Sequence, residues 1–196
     1  MKGEGRRKVR SDKKRDVRAT VTIELKDCIY RLNEVTKVKV KDISEQFTLL
    51  VMRDKDMMND FSEYFKRTIK VGNTLYRGSI NNKQMIKLLP GRTETISIKF
   101  KQSDYNYISD LAYVFNISAS RMVAVLIQYA VADLEIIADF IVTHKDLRFT
   151  QSETIILKEI LTYVNYATDS SYSWRYFLNL MSDILGEKIS RLEALE

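Results

Sequence analysis

The side chains best placed to do chemistry in this sequence are hydrogen-bond donors and acceptors on two short alternating segments. In Arg18-Ala-Thr-Val-Thr-Ile-Glu-Leu-Lys26, the residues Arg18, Thr20, Thr22 and Glu24 alternate with Ala19, Val21, Ile23 and Leu25. In Thr93-Glu-Thr-Ile-Ser-Ile-Lys-Phe-Lys101, the residues Thr93, Thr95, Ser97 and Lys99 alternate with Ile96, Ile98 and Phe100. Period-two alternation rich in β-branched residues marks a half-buried strand, one face apolar and the other carrying hydroxyls and cations. Such a row suits recognition of another molecule's hydrogen-bonding groups.

Bond-making chemistry is poorly supplied. His144 is the only histidine, which argues against histidine-cluster nucleases and most imidazole-based metal sites. Cys28, the only cysteine, lies on an apolar helix face and reads as core. Val71-Gly-Asn-Thr and Arg77-Gly-Ser lack the spacing and lysine of a phosphate loop. No catalytic residue, metal or cofactor is expected, and His144 is expected to cap a helix or lie on the surface.

Charge sharpens the expectation. The net +6 coincides with the excess of residues 1–18, where nine basic side chains (Lys2, Arg6, Arg7, Lys8, Arg10, Lys13, Lys14, Arg15, Arg18) face Glu4, Asp12 and Asp16. A concentrated basic arm attracts polyanions better than the same charge spread evenly. Scarce Pro (1) and Gly (6), with 45% hydrophobic residues, indicate a mostly helical globular chain. One cysteine and a charged start with no apolar run behind it point to the cytoplasm. Met122 to Val142 is apolar enough to suggest a membrane span, but Asp133, Glu135 and Asp139 favour a buried core helix.

The two strands look like copies. Thr20-Val-Thr-Ile-Glu-Leu-Lys and Thr95-Ile-Ser-Ile-Lys-Phe-Lys, 75 positions apart, match in type at nearly every position. Each precedes a helical pair. After the first, a helix beginning near Lys26-Asp27 carries Ile29, Leu32 and Val35; a basic turn spans Thr36 to Lys41. Asp42 or Ser44 then caps a helix with Phe47, Leu50 and Val51. After the second, Ser103-Asp104 caps a helix with Tyr107, Ile108, Leu111, Val114 and Phe115. Asn116-Ile117 breaks it, and Ser118-Ala-Ser120 opens another, expected to run to about His144.

This pattern resembles the ribbon–helix–helix family of DNA-binding proteins, the Arc/MetJ class, in Arg18-x-Thr20-x-Thr22 on a strand and Ile117-Ser118-x-Ser120 opening a second helix. The long second helix departs from the family's usual length. The resemblance implies a mainly α fold with a short two-stranded antiparallel β-ribbon, tandem ribbon–helix–helix repeats and extra helices. It further implies insertion of the ribbon into the major groove of double-stranded DNA. Base contacts would fall to Arg18, Thr20, Thr22, Thr95, Ser97 and Lys99. Phosphate contacts would fall to Ser44, Ser118 and Ser120 at helix starts. The arm residues Arg6, Arg7, Lys8, Arg10, Lys13, Lys14 and Arg15 would add more. The repeats could pair within one chain, giving an asymmetric subsite (Glu24 against Lys99), or between chains in a homodimer.

The expected organisation is a basic arm (1–17), repeat one (18–53), a partly helical connector (54–91), repeat two (92–145) and a C-terminal helical region (146–196). In the connector, Met58, Phe61, Phe65 and Ile69 fall at helical spacing, Val71-Gly-Asn-Thr reads as a turn, and Pro90-Gly91 as the break before strand two. Thr150-x-x-Glu153 is a capping box, and a last helix is expected near Tyr172 to Leu195. These C-terminal helices either complete the core or form a dimer or partner surface. A transcriptional regulator, repressing by occupancy in the family's manner, is the leading expectation. An accessory DNA-binding protein of a mobile element (a relaxosome or partition component) and a protein–protein adaptor are the alternatives. No membrane role is expected.

Overall fold

A computed structural model describes residues 14–84 and 88–193, so Arg6, Arg7, Lys8, Arg10 and Lys13 lie outside the described residues. Among the described residues the chain is mainly helical, 64%, with two short antiparallel two-stranded sheets. Strand β1 (Arg15–Thr22) leads into α1 (Ile23–Thr36), α2 (Val40–Arg53) and α3 (Lys55–Ser62). A small hairpin of β2 (Ile69–Val71) and β3 (Thr74–Tyr76) follows, then β4 (Thr93–Phe100), α4 (Gln102–Phe115), α5 (Ala119–Ala132) and α6 (Leu134–His144). Helices α7 (Gln151–Thr168) and α8 (Trp174–Glu193) complete the described chain.

Strands β1 and β4 pair with each other inside the chain, Arg15 opposite Phe100 through to Thr22 opposite Thr93. Their inward residues Val17, Ala19, Val21, Ile96, Ile98 and Phe100 are all buried. A ribbon this short is not stable alone, because it leaves one apolar face and two edges uncovered. Helix α5 packs under β1, helix α2 under β4, and α2 and α5 pack on each other. Each strand therefore rests on the second helix of the other repeat.

The repeat is more regular than the strand sequences suggest, and its offset differs from theirs. The helix-start residues 22 and 101, the left-handed residues 37 and 116, the helix-start residues 39 and 118, and the helix-joint residues 54 and 133 each stand 79 apart. All four helices α1, α2, α4 and α5 contain 14 residues. The 75-residue match is thus corrected by four positions. Contacts repeat at the same offset: Glu94 binds Lys26 at 2.5 Å, and Arg15 lies 6.0 Å from the ring of Tyr105. The positions 15 and 94, and 26 and 105, are also 79 apart.

Five boundaries move. Helix α4 starts at Gln102 with Lys101 before it, so Ser103 and Asp104 lie inside the helix rather than capping it, and the connector's helix ends at Ser62, so Ile69 falls in β2. Strand β1 starts at Arg15 and ends at Thr22, so Ile23, Glu24 and Leu25 are the first turn of α1, not strand. Helix α2 starts at Val40, before either expected cap, and Lys39 holds the position preceding it without a side-chain cap. The long helix expected from Ser118 to His144 is two helices. Asp133 takes extended geometry (φ −95°, ψ 113°) and its carboxylate accepts from the Glu135 and Ile136 backbone N–H groups at 2.8 and 3.1 Å. Asp54 does the same between α2 and α3, accepting from Asp56 at 2.8 Å and Met57 at 3.0 Å. An N-cap that bonds two free N–H groups starts a new helix as effectively as it stops the old one.

The break at Asp133 also disposes of the apolar stretch from Met122 to Val142. Met122 to Ile127 are all buried, since α5 lies at the centre of the core between β1, α2, α4 and α7. Among the described residues no single helix is long and apolar enough to cross a membrane.

The connector braces the turn between α4 and α5. The Arg67 guanidinium donates to the Tyr113 carbonyl and, at 3.1 Å, to the Asn116 side chain, and it stacks 4.1 Å from the Tyr113 ring. Gly72, at φ 57°, permits the tight turn of the β2–β3 hairpin. The capping box on α7 is present in full, with Thr150 and Glu153 bonded reciprocally. Helix α7 packs on α1, where Arg31 donates to Glu159 at 2.7 Å, and α8 packs on α6.

Candidate functional site

The alternation of β1 and β4 leaves one face of the ribbon in solvent. Three cross-strand pairs occupy it: Asp16 with Lys99, Arg18 with Ser97, and Thr20 with Thr95. All six side chains are exposed. With the exposed Thr93 at its end, the face therefore carries two cations, one carboxylate and four hydroxyls on a two-stranded platform. Glu94, which could add negative charge, has the parity of the inward residues and is tied to Lys26 instead.

Five of the six residues expected to contact bases, Arg18, Thr20, Thr95, Ser97 and Lys99, are brought together here. Thr22 is not among them. It is 4% exposed, and its hydroxyl accepts from the Leu25 backbone N–H at 3.2 Å, holding the first turn of α1. Because α1 begins without an intervening loop, the strand's last residue must turn inward to cap it. Asp16 extends the outward row at the strand's other end, opposite Lys99; the alternation Asp16-Val17-Arg18 was the available signal.

Two helix starts flank the ribbon. At α5, the Ser118 hydroxyl accepts from the Arg121 backbone N–H at 3.2 Å. Thr20, Thr93, Leu88, Ser118, Ser120 and Arg121 line a cleft of about 530 Å³ between the ribbon and this helix start. Ser118 and Ser120 thus stand beside the strand face, and the exposed Arg121 joins them.

Ser44 does not stand at its helix start. It lies one turn into α2, fully buried, donating to the Val40 carbonyl at 2.8 Å. At the 79-residue offset it corresponds to Val123, a core position, which is why its hydroxyl turns back onto its own helix. Lys39 and Lys41 hold the places corresponding to Ser118 and Ser120, and both are exposed. The run Lys37-Val-Lys-Val-Lys41 was the sequence sign of a basic helix start.

Of the arm, Lys14 is exposed just before β1. Arg15 lies on the helix side of the ribbon, its Nε donating to Gln102 Oε1 at 2.6 Å, so its charge is partly engaged within the fold. The other polar residues of note are structural. His144 packs on Phe140 with ring centroids 4.3 Å apart, its Nδ1 2.9 Å from the Phe140 carbonyl oxygen. Cys28 is fully buried, and that burial pushes its thiol up to about 12. Among the described residues no group of three His, Cys, Asp or Glu could hold a metal ion.

No family model matches the chain, and no curated protein or solved structure shows significant similarity to it.

Proposed function

We propose that this chain binds double-stranded DNA in a sequence-specific manner, laying the β1–β4 ribbon in the major groove as ribbon–helix–helix proteins do, and acts as a regulator by occupying its site. The observation that carries this reading is the exposed row of Arg18, Thr20, Thr95, Ser97 and Lys99 on a two-stranded ribbon built within one chain. A major groove about 12 Å wide accepts a two-stranded ribbon, and its base edges present the acceptors and methyl groups that such side chains address. Arg and Lys donate to guanine O6 and N7; Thr and Ser serve several bases or contact a thymine methyl. The helix starts at Lys39 and Ser118, with Lys41, Ser120 and Arg121, are disposed to meet phosphates on either side. Lys14 and the basic residues before it supply further attraction to the backbone.

The test is binding of the full chain to duplexes selected from a random pool, measured at several salt concentrations. Affinity should fall steeply between about 50 and 200 mM salt as condensed counterions are released. Arg18→Ala and Lys99→Ala should each cost about 1–3 kcal/mol of discrimination at one position of the selected site. Salt-insensitive binding, or no selected motif, would overturn the proposal and leave the adaptor reading.

A further inference from the structure

The strand register and the repeat offset together locate the internal two-fold axis. A pair of residues sits on that axis when its members are both cross-strand partners and repeat equivalents. Arg18 and Ser97 meet both conditions: they are paired, and they stand 79 apart. The same operation exchanges the pair Asp16·Lys99 with the pair Thr95·Thr20. The backbone is therefore two-fold about the centre of the ribbon, while the side chains it presents are not.

The inequality has a consistent direction. One half of the outward face carries Asp16 and Lys99, with exposed Lys14 at the start of the same strand. The two-fold axis assigns to that half the helix start bearing Lys39 and Lys41. The other half carries only hydroxyls on the ribbon, Thr20 and Thr95, and shares its cleft with Ser118, Ser120 and Arg121. At the axis itself a guanidinium faces a hydroxyl, where a symmetric dimer would present two identical groups.

We propose, resting on the DNA-binding reading above, that one chain recognises a non-palindromic duplex in a single orientation. A lysine-bearing half and a hydroxyl-bearing half meet at a central base pair read by Arg18. Guanine under Arg18 and under Lys99 follows from their donors, and a half tolerant of A·T pairs with exposed thymine methyls follows from Thr20 and Thr95. Two-fold DNA offers equivalent edges in both halves, so it satisfies only one half of this face at a time.

The experiment pairs motif selection with oriented cleavage. An iron chelator is attached to Glu34→Cys, an exposed site near the end of α1, with the buried Cys28 left unmodified. The selected motif should differ from its reverse complement, and cleavage should fall on one flank only. Exchanging the two outward sets (Asp16→Thr, Arg18→Ser, Thr20→Lys, Thr95→Asp, Ser97→Arg, Lys99→Thr) should move cleavage to the opposite flank of the same motif. The single variant Arg18→Ala, which disturbs no packing, should reduce discrimination at the central position at least about fivefold and leave the flanks unchanged. A palindromic motif, equal cleavage on both flanks, or loss of discrimination spread evenly by Arg18→Ala would overturn the proposal while leaving DNA binding intact. Absence of any salt-sensitive duplex binding would overturn the DNA reading, and this one with it.

Discussion

Arg18 and Thr22 sit four residues apart on the same strand and face the same way by simple alternation, yet the fold uses them oppositely. Arg18 is free on the ribbon's outer face; Thr22 is spent on the backbone of α1. A hydroxyl that caps a helix and is buried with its partner contributes about 1 kcal/mol, and its loss leaves an unpaired N–H. Thr22→Val should therefore lower the unfolding free energy in urea by about 1 kcal/mol, with Thr22→Ser largely restoring it. At a temperature where both variants are folded, the selected DNA motif should be unchanged; an altered motif would put Thr22 back in the groove. Ser44 teaches the same point. Serine near a helix start looks like a cap, but a core position at Val123 in the other repeat requires it to be buried, and only the repeat offset reveals which applies.

Among the elements, the helices carried the repeat more faithfully than the strands. Ile29, Leu32 and Val35 recur as Ile108, Leu111 and Val114 at 79 residues, and three-then-three spacing tolerates no slippage on a helix. Strand alternation is satisfied by any even shift, so a match displaced by four keeps every side chain on its correct face. That is why the outward set was legible in the sequence save at its ends, where Thr22 drops out and Asp16 enters. The joint at Asp133 was hidden for a related reason: the apolar stripe Ile127, Ala130, Leu134, Ile137 runs through it without losing step, and only the aspartate marks the stop. The hairpin β2–β3 offered just three residues per strand, too few for a periodic signal.

The start of helix α7 makes the stability of the fold depend on pH. The Lys145 ammonium donates to Glu153 at 2.8 Å, and Thr150 adds backbone and hydroxyl bonds, holding the Glu153 carboxyl down at about 2. A carboxyl with a lowered folded-state value stabilises the fold fully above its ordinary range and progressively less as the solution is acidified toward that value. Stability should fall between about pH 4.5 and 2, and Glu153→Gln, which keeps the capping geometry, should flatten that part of the profile in chemical denaturation.

For the molecule as a whole, the decisive feature is that both strands of the ribbon belong to one chain. Folded units completed between two chains unfold with a midpoint that rises with protein concentration, because folding and association are one event. Here the midpoint should be independent of concentration from about 1 to 100 µM, measured by circular dichroism; a systematic rise would show that a second chain contributes to the folded unit. The C-terminal helices support this unit from below through α7 on α1 and α8 on α6. Helix α8 nevertheless leaves Tyr176, Ile189 and Leu192 exposed.

The pairing of β1 with β4 also has a temporal side. Strand β1 leaves the ribosome before β4, with Val17, Ala19 and Val21 ready for burial, and the partner strand begins 78 positions after it, at Thr93 compared with Arg15. At about 5–20 residues per second, the first strand waits roughly 4–16 seconds before a partner exists, and longer before α5 is there to cover it. Through that interval a nascent chain exposes an unpaired edge, and a second nascent chain on the same message is the nearest source of a matching one. Charged side chains along a strand discourage edge-to-edge pairing, and Asp16 and Arg18 place two of them on β1 through that interval.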